Sequence, residues 1–398
     1  MLSKKRLEKR IILSAVVFLG IFSAGLSSCD NPPKTFTITW KNYDGIKLEV
    51  DYGVPYGTLP TYDGHLPIRF DSGQFNYAFS GWSPEVVVVT ENTTYTAVFN
   101  GKYFLGLYPQ TEVIDPSLIT TLNDSSGALP TSDNSQSWTS YNFYISSSNA
   151  TNFMWYQDIS VNEDIYRGVY FTSYRPFYID IASSSDNSYQ DDNGYLINTR
   201  YWFKFEPISW DLLSVDESSG PLLLSSKVID SQEYYHSTLE RTINEQIVYS
   251  NNYKESNIRA WLNNSFLNTA FTTSEQSLIK TTTVDNSANS TDSHSNQYAT
   301  TNTNDKLFLP SYREVIDANY RFSTRTDSHI SRVRSVTDYA KAMGVYAYLG
   351  NFSYWWLRSP SHYYAYNALL VYHDGSISQY YRVNRTHYGV VPSFRINQ

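Results

Sequence analysis

One cysteine in 398 residues, Cys29, leaves no partner for an intrachain disulfide and no thiolate cluster for a metal. The seven histidines include no His-x-x-x-His or His-Glu-x-x-His pair, so zinc-ligand spacing is missing as well. No Gly-x-Ser-x-Gly elbow and no glycine-rich phosphate loop occurs. Charged residues make up only 17% of the chain and the net charge is −8. The first 28 residues hold five basic side chains and one acidic one, which leaves the remainder near −12. A nucleic-acid partner needs a basic stripe, and the sequence has none. Tyrosine, by contrast, is abundant at 36 copies. A surface built from hydroxyls, amides and aromatic rings suits recognition better than solvation by charge.

The chain opens with Lys4, Lys5, Arg6, Lys9 and Arg10 and an apolar run from Ile11 to about Gly25. That run is shorter than the ~20 residues a spanning helix needs and reads as an export signal over residues 1–28. It ends in Leu26-Ser27-Ser28-Cys29, which resembles the lipobox of bacterial lipoproteins. The resemblance implies lipidation of Cys29 and a membrane partner reached through that lipid, with the rest of the chain outside the cytoplasm. Asp30 resembles an inner-membrane retention signal; the envelope type stays open. Residues 29–34 form the anchor and a stiff linker around Pro32-Pro33.

From Thr35 to about Asn100 the pattern is β. Thr35 to Trp40 alternates with period two, Asp44-Gly45 turns the chain, and Ile46 to Tyr52 alternates again. Further strands are expected at Phe75 to Phe79 and Thr94 to Phe99, with Asp71-Ser72-Gly73 turning before them. Tyr43-Asp44-Gly45, Tyr56-Gly57, Phe79-Ser80-Gly81-Trp82-Ser83-Pro84 and Tyr95 to Phe99 together resemble a Listeria–Bacteroides repeat of internalin B type. That implies a β-grasp-like spacer over residues 35–100, with Trp82 in its core.

Residues 101–398 read as a second, larger domain with polar insertions near 115–195 and 281–304. The first insertion is expected to hold strands and long loops. Its Asp191-Asp192-Asn193-Gly194 fails the EF-hand pattern, because Tyr189 and Arg200 fall at the first and last ligand positions. The second, Thr281 to Asn304, is almost free of apolar residues and is expected to be mobile. Trp202–Trp210 and Pro221–Ile229 read as buried strands. Ser256 caps a helix whose Ile258, Trp261, Leu262 and Phe266 share a face. A second helix is expected from Ser311, with Glu314 completing a capping box, and a third over Thr337 to Met343 ending at Gly344. Glu206 to Trp210, Asp230-Ser231, Ser256 to Phe271, Trp355-Trp356-Leu357-Arg358-Ser359-Pro360 and Gly389-Val390-Val391-Pro392 resemble the bacterial family called domain of unknown function 6273. This resemblance spans about Tyr103 to Ile396. The family in turn is similar to the C-type-lectin-like fold of formylglycine-generating enzymes and bacterial variable binding proteins. The implied fold class is α+β: a small β-grasp-like module followed by a larger C-type-lectin-like mixed domain. Formylglycine-generating activity acts through cysteines, which the chain after Cys29 lacks.

Ser361 to Tyr388 concentrates the candidate site. Its 28 residues hold seven tyrosines where composition alone gives about 2.5, and three of the seven histidines. The candidate contacts are Ser361, His362, Tyr363, Tyr364, Tyr366, Tyr372, His373, Tyr380, Tyr381, Asn384, Thr386, His387 and Tyr388. Tyr gives broad, rigid contact at low entropy cost, and Asn, Ser and His give adaptable hydrogen bonds. The mixture resembles the variable region of diversity-generating retroelement targets. An invariant ligand face and ordinary strand tyrosines from an AT-rich genome are the alternatives. The expectation is a surface-tethered binding protein for a protein or glycan, without cofactor, metal or catalytic residue. A hydrolase of envelope polysaccharide needs two placed carboxylates, and a purely structural envelope protein needs no exposed aromatic cluster. Trp355, Trp356 and Leu357 are expected in the core, and Arg358 in a stabilising ion pair.

Overall fold

The computed structural model describes residues 33–69, 75–130, 137–141, 154–172, 193–214 and 219–397. Cys29 with its export segment, the Asp71-Ser72-Gly73 turn and the Asp191-Asp192 pair lie outside the described residues. The fold is mixed α+β, with strands outweighing helices. No helix among the described residues is long and apolar enough to cross a membrane. Two compact units divide the chain. A small one takes the described residues up to His65 with Trp82–Thr96, and a large one takes Leu66–Gly81 and the residues from Ala97 onward. The small unit is thus narrower than the stretch 35–100 expected for the first module.

In the small unit, β1 (Thr35–Lys41) and β2 (Lys47–Pro55) form an antiparallel hairpin around Asp44-Gly45. The Asp44 carboxylate accepts the Ile46 N–H, and Gly45 takes φ 83°, which its missing side chain allows. β3 (Phe75–Ser83) and β4 (Thr93–Glu112) both straddle the division between units. The first residues of β4 run parallel to β1 from Ile38↔Thr93 to Lys41↔Thr96. Period-two alternation sends Ile38 and Trp40 inward, where Trp40 meets Trp82 edge-on at 4.7 Å and stacks on Tyr95 at 4.8 Å. The Trp40 indole N–H donates to Asp51, so this aromatic core leaves its polar edge satisfied.

In the large unit, β4 pairs antiparallel with β8 (Arg200–Ser214) from Lys102↔Asp211 to Glu112↔Phe203. A bulge between Phe104 and Leu107 is made by Gly106 at φ 76°. A Cβ there would lie 2.7 Å from the Phe271 ring, so only glycine fits. Between β4 and β8 come the helix α1 (Pro116–Ser126) and the antiparallel run of β5 (Thr139–Tyr141), β6 (Met154–Val161) and β7 (Asp164–Phe171). α1 corrects the expectation of strands and loops alone after residue 115. Asp115 accepts the Leu118 N–H, Pro116 needs no donor at the first turn, and Leu122 is buried against Tyr166 and Trp202. β9 (Leu222–Ser225) follows β8 in the sheet and pairs with Ser393–Ile396, next to Ile279–Lys280.

Ser256 caps the helical run from Asn257 by accepting the Arg259 N–H, and Ile258, Leu262 and Phe266 are buried as their spacing requires. Leu262–Phe266 is a π-turn, which no periodicity announces. Asn263 pins it, donating to Arg259 and Leu307 carbonyls and accepting from Lys306 and Leu307. The Ser311/Glu314 capping box forms, but it heads only a 3-10 turn, Glu314–Ile316. There the carboxylate of Glu314 is spent on Arg358, and Asp317 starts a second short turn that interrupts propagation. Thr337 caps Asp338–Ala342, and Gly344 at φ 93° ends that helix. The stretch Thr281 to Asn304 departs from the mobile loop expected of its composition. Strands Thr282–Val284 and Thr303–Asp305 pair across it, and the side chains of Asn286, Thr291 and Asn296 bind backbone carbonyls.

Candidate functional site

A second sheet carries the aromatic-rich segment. Its strand order is Asp230–Ser231, Gly389–Val390, Trp355–Pro360, Asn367–Val371 and Ile377–Arg382. Trp355–Pro360 and Asn367–Val371 are buried at every residue, so Trp355, Trp356 and Leu357 are core. Arg358 makes its expected pair, donating to both Glu314 oxygens and to the Leu309 and Asp285 carbonyls. Burial pushes the Glu314 carboxyl up, but the Arg358 guanidinium outweighs it and holds the group below its ordinary value. These strands are a rigid plate, and the candidate residues hang on its rim.

The loop 361–366 is shaped by its neighbours. The Asn251 amide donates to Tyr364 and Asn367 carbonyls at 3.0 Å each, and Asn251 N–H and Ser250 Oγ both reach the Ala365 carbonyl. With its backbone held, the loop turns Tyr363 and Tyr364 to solvent at 55% and 43% exposure. Tyr380, 60% exposed on the edge strand, stacks near-parallel to Tyr363 with ring centres 6.2 Å apart. Tyr364 stacks on Tyr366 at 5.5 Å, and the Arg382 guanidinium sits over the Tyr366 ring. His362 packs on Tyr363 and meets Asp292 at 2.7 Å. Desolvation raises the Asp292 carboxyl, with His362 pulling it back down. Beside this cluster lies a hollow of about 190 Å³ lined by Asp292, Tyr312, Thr326, Gln379 and Tyr380 among others.

Successive residues of a strand face opposite ways, so Tyr381 joins a different group from Tyr380. Tyr381 and Tyr372 share a hydrogen bond between hydroxyls, and Tyr381 packs against Tyr388 at 5.2 Å. Burial first and then Tyr372 push the Tyr381 hydroxyl well up. Tyr354 lies at the centre, 4.9 Å from Tyr372 and stacked on Tyr346, while His373 stacks on Tyr348 at 3.9 Å. The turn into the edge strand is closed by Gly375 at φ 83°, where a Cβ would strike the His329 carbonyl. Fully buried Arg332 donates to the Gly375, Ser323, Asp327 and Val315 carbonyls and so ties that turn down.

The structure therefore divides the thirteen candidate contacts between 361 and 388. His362, Tyr363, Tyr364, Tyr366 and Tyr380 come together at the surface, and Tyr372, His373 and Tyr381 form a half-buried neighbour. Ser361, Thr386 and Tyr388 are buried, Tyr388 at 5% exposure, and serve packing rather than contact. Ser361 Oγ caps the Tyr363 N–H, and the Thr386 carbonyl accepts from Ser231. Asn384 and His387 are half-buried, and His387 packs on the Tyr388 ring. The spacing reading missed Asn251 and Asp292, which come from distant parts of the chain, and Tyr346 and Tyr348, which fall just before the tyrosine-rich stretch.

A separate cavity of about 160 Å³ is lined by Tyr108, Tyr156, Arg167, Asp230, Gln232, Trp261 and Tyr339 among others. Burial lifts the Asp230 carboxyl to about 6, against donors from Tyr108, Ser231 and Gln232. Among its described lining residues Asp230 is the one carboxylate, while Asp158 is held bidentate by Arg167. No group of three or more His, Cys, Asp or Glu able to hold a metal ion occurs among the described residues.

Fold and site together describe an α+β protein with an aromatic face mounted on a buried plate. Residues 219–398 match the family described as Domain of unknown function (DUF6273). The match takes in the helical run from Ser256, the Trp355–Pro360 strand and Gly389 to Pro392, and it begins after the Glu206 to Trp210 element. No curated protein and no solved structure is matched.

Proposed function

We propose that this chain is a lipoprotein, anchored through Cys29 outside the cytoplasm, that binds a protein or glycan through the face formed by His362, Tyr363, Tyr364, Tyr366 and Tyr380. The observation that carries the reading is the exposure of three tyrosines on a rim whose supporting strands are wholly buried. Monomeric surfaces seldom leave neighbouring large aromatics open without a partner. A rigid aromatic rim loses little entropy on binding, and the adjoining hollow of about 190 Å³ offers a pocket for a projecting group. The large unit is read as C-type-lectin-like and the small one as a β-grasp-like spacer. The Tyr/His/Asn composition of the segment Ser361 to Tyr388 fits a diversified variable region.

Glycan and protein arrays probed with the full-length chain test this. Tyr363→Ala and Tyr380→Ala should each weaken the interaction roughly tenfold or more, as truncation of an aromatic anchor does. The melting temperature should move by no more than about 2 °C, because both side chains are open to solvent. Unfolding of these variants, or undiminished binding, would remove the face from function.

A further inference from the structure

The large unit holds a second feature unrelated to the aromatic rim. A cavity of about 460 Å³ is lined by Ser80, Asn100, Asp211, Arg321, Ser331 and Arg334 among others. In a chain of net charge −8 this spot gathers cations around one carboxylate. Asp211 Oδ1 is taken by Lys102 and by the Ser226 hydroxyl at 2.7 Å. Its other oxygen lies 3.8 Å from Arg334 Nη2, beyond hydrogen-bond reach.

Arg334 is 7% exposed, and among the described residues it donates twice, from Nη1 to the Ser331 and Val333 carbonyls. Its Nε is buried without a partner among the described residues. A guanidinium has five N–H donors, and leaving several unmet inside a protein is costly. Arg321, on the same cavity, donates from Nη1 to the Phe99 carbonyl and the Asn100 side chain, and no other hydrogen bond of its side chain is seen among the described residues. It adopts φ 65°, a left-handed backbone that few arginines take. Desolvation and then repulsion from Arg69 lower its guanidinium, and burial lowers that of Arg334. Among the described residues, two arginines and a lysine thus gather around a single carboxylate, and Ser80 and Ser331 also line the cavity, their hydroxyls engaged by the Val98 carbonyl and the Ser323 N–H.

We infer that this cavity binds a tetrahedral oxyanion, phosphate or sulfate, either free or as the terminal group of a small molecule. Such an anion supplies the missing negative charge and accepts the forked donors of two guanidinium groups at once. Neutral ligands would leave the charge imbalance in place, and cations would worsen it.

The test is calorimetric titration of the full-length protein with sodium phosphate, sodium sulfate and glycerol 3-phosphate at constant low ionic strength, with sodium chloride as control. Saturable binding is expected for the oxyanions and none for chloride. Tighter binding of inorganic phosphate assigns the site to the free ion, and tighter binding of glycerol 3-phosphate assigns it to a phosphorylated small molecule. Arg321→Gln should weaken binding roughly tenfold, the usual cost of a charge-assisted bond. Arg334→Met should do the same where it folds. Ile330→Glu is the independent check, because Ile330 is 79% exposed at the cavity edge and its replacement adds only a repelling charge. An equal response to chloride, the absence of saturable heat, or unchanged affinity in both Arg321→Gln and Ile330→Glu would overturn the inference.

Discussion

Glu233 is the residue where burial and charge conflict most openly. Its side chain is 7% exposed, one carboxyl oxygen has no partner among the described residues, and desolvation pushes the group to about 8. A carboxyl raised above its unfolded value of about 4.3 binds its proton more tightly when folded. Its contribution is therefore complete below about pH 4 and is lost as pH rises through 8. Glu233→Gln removes the need to ionise and should stabilise the protein by on the order of 2 kcal/mol at pH 9, with little change at pH 5. Urea unfolding at the two pH values measures this, and equal effects at both would refute the burial argument. Glu314 is the opposite case, since Arg358 keeps it ionised. Glu314→Gln leaves a buried guanidinium without its carboxylate and should cost about 3–5 kcal/mol.

Among the elements, the loop 361–366 depends on a side chain more than a hundred residues away. Asn251→Ala removes bonds to the Tyr364 and Asn367 carbonyls. A loss of about 1–3 kcal/mol is expected. Faster amide exchange should be confined to the loop and its anchor, leaving Ile279–Lys280 and β9 unaffected. Elements also show what was legible in the sequence. Ser256 and Thr337 are caps followed by apolar residues at helical spacing, and both helices start where those signals stand. Trp355-Trp356-Leu357 is too apolar for a surface strand. α1 was hidden because its residues are mostly Ser, Thr, Asn and Asp, so the Asp115-Pro116 start outweighs no competing pattern. The Thr281 to Asn304 stretch was misjudged for a related reason. Polar residues that bind backbone look, in composition, the same as polar residues that bind water. Tyrosine defeats composition in another way, being equally at home buried, as Tyr388, or open, as Tyr380.

At the scale of the whole molecule, opposing carboxyls shape the response to pH. Asp230 near 6 and Glu233 near 8 favour the folded state on the acid side of those values. Asp164, Asp374 and Glu314, held below their ordinary values, withdraw support as they are protonated. The melting temperature should therefore be higher at pH 5.5 than at pH 8.5 and fall again below about pH 4. A thermal scan across that range checks it, and a maximum above pH 8 would contradict the assignment of Asp230 and Glu233 as the dominant buried acids.

The clamp on the 361–366 backbone has one more implication. Asn251 and Ser250 hold that loop by its carbonyls, which every residue type possesses, and they ask nothing of the side chains at 362, 363, 364 or 366. Information about shape and information about contact are thus written in different places along the gene. A lineage can rewrite the second freely while inheriting the first unchanged, and so try new partners without relearning how to fold.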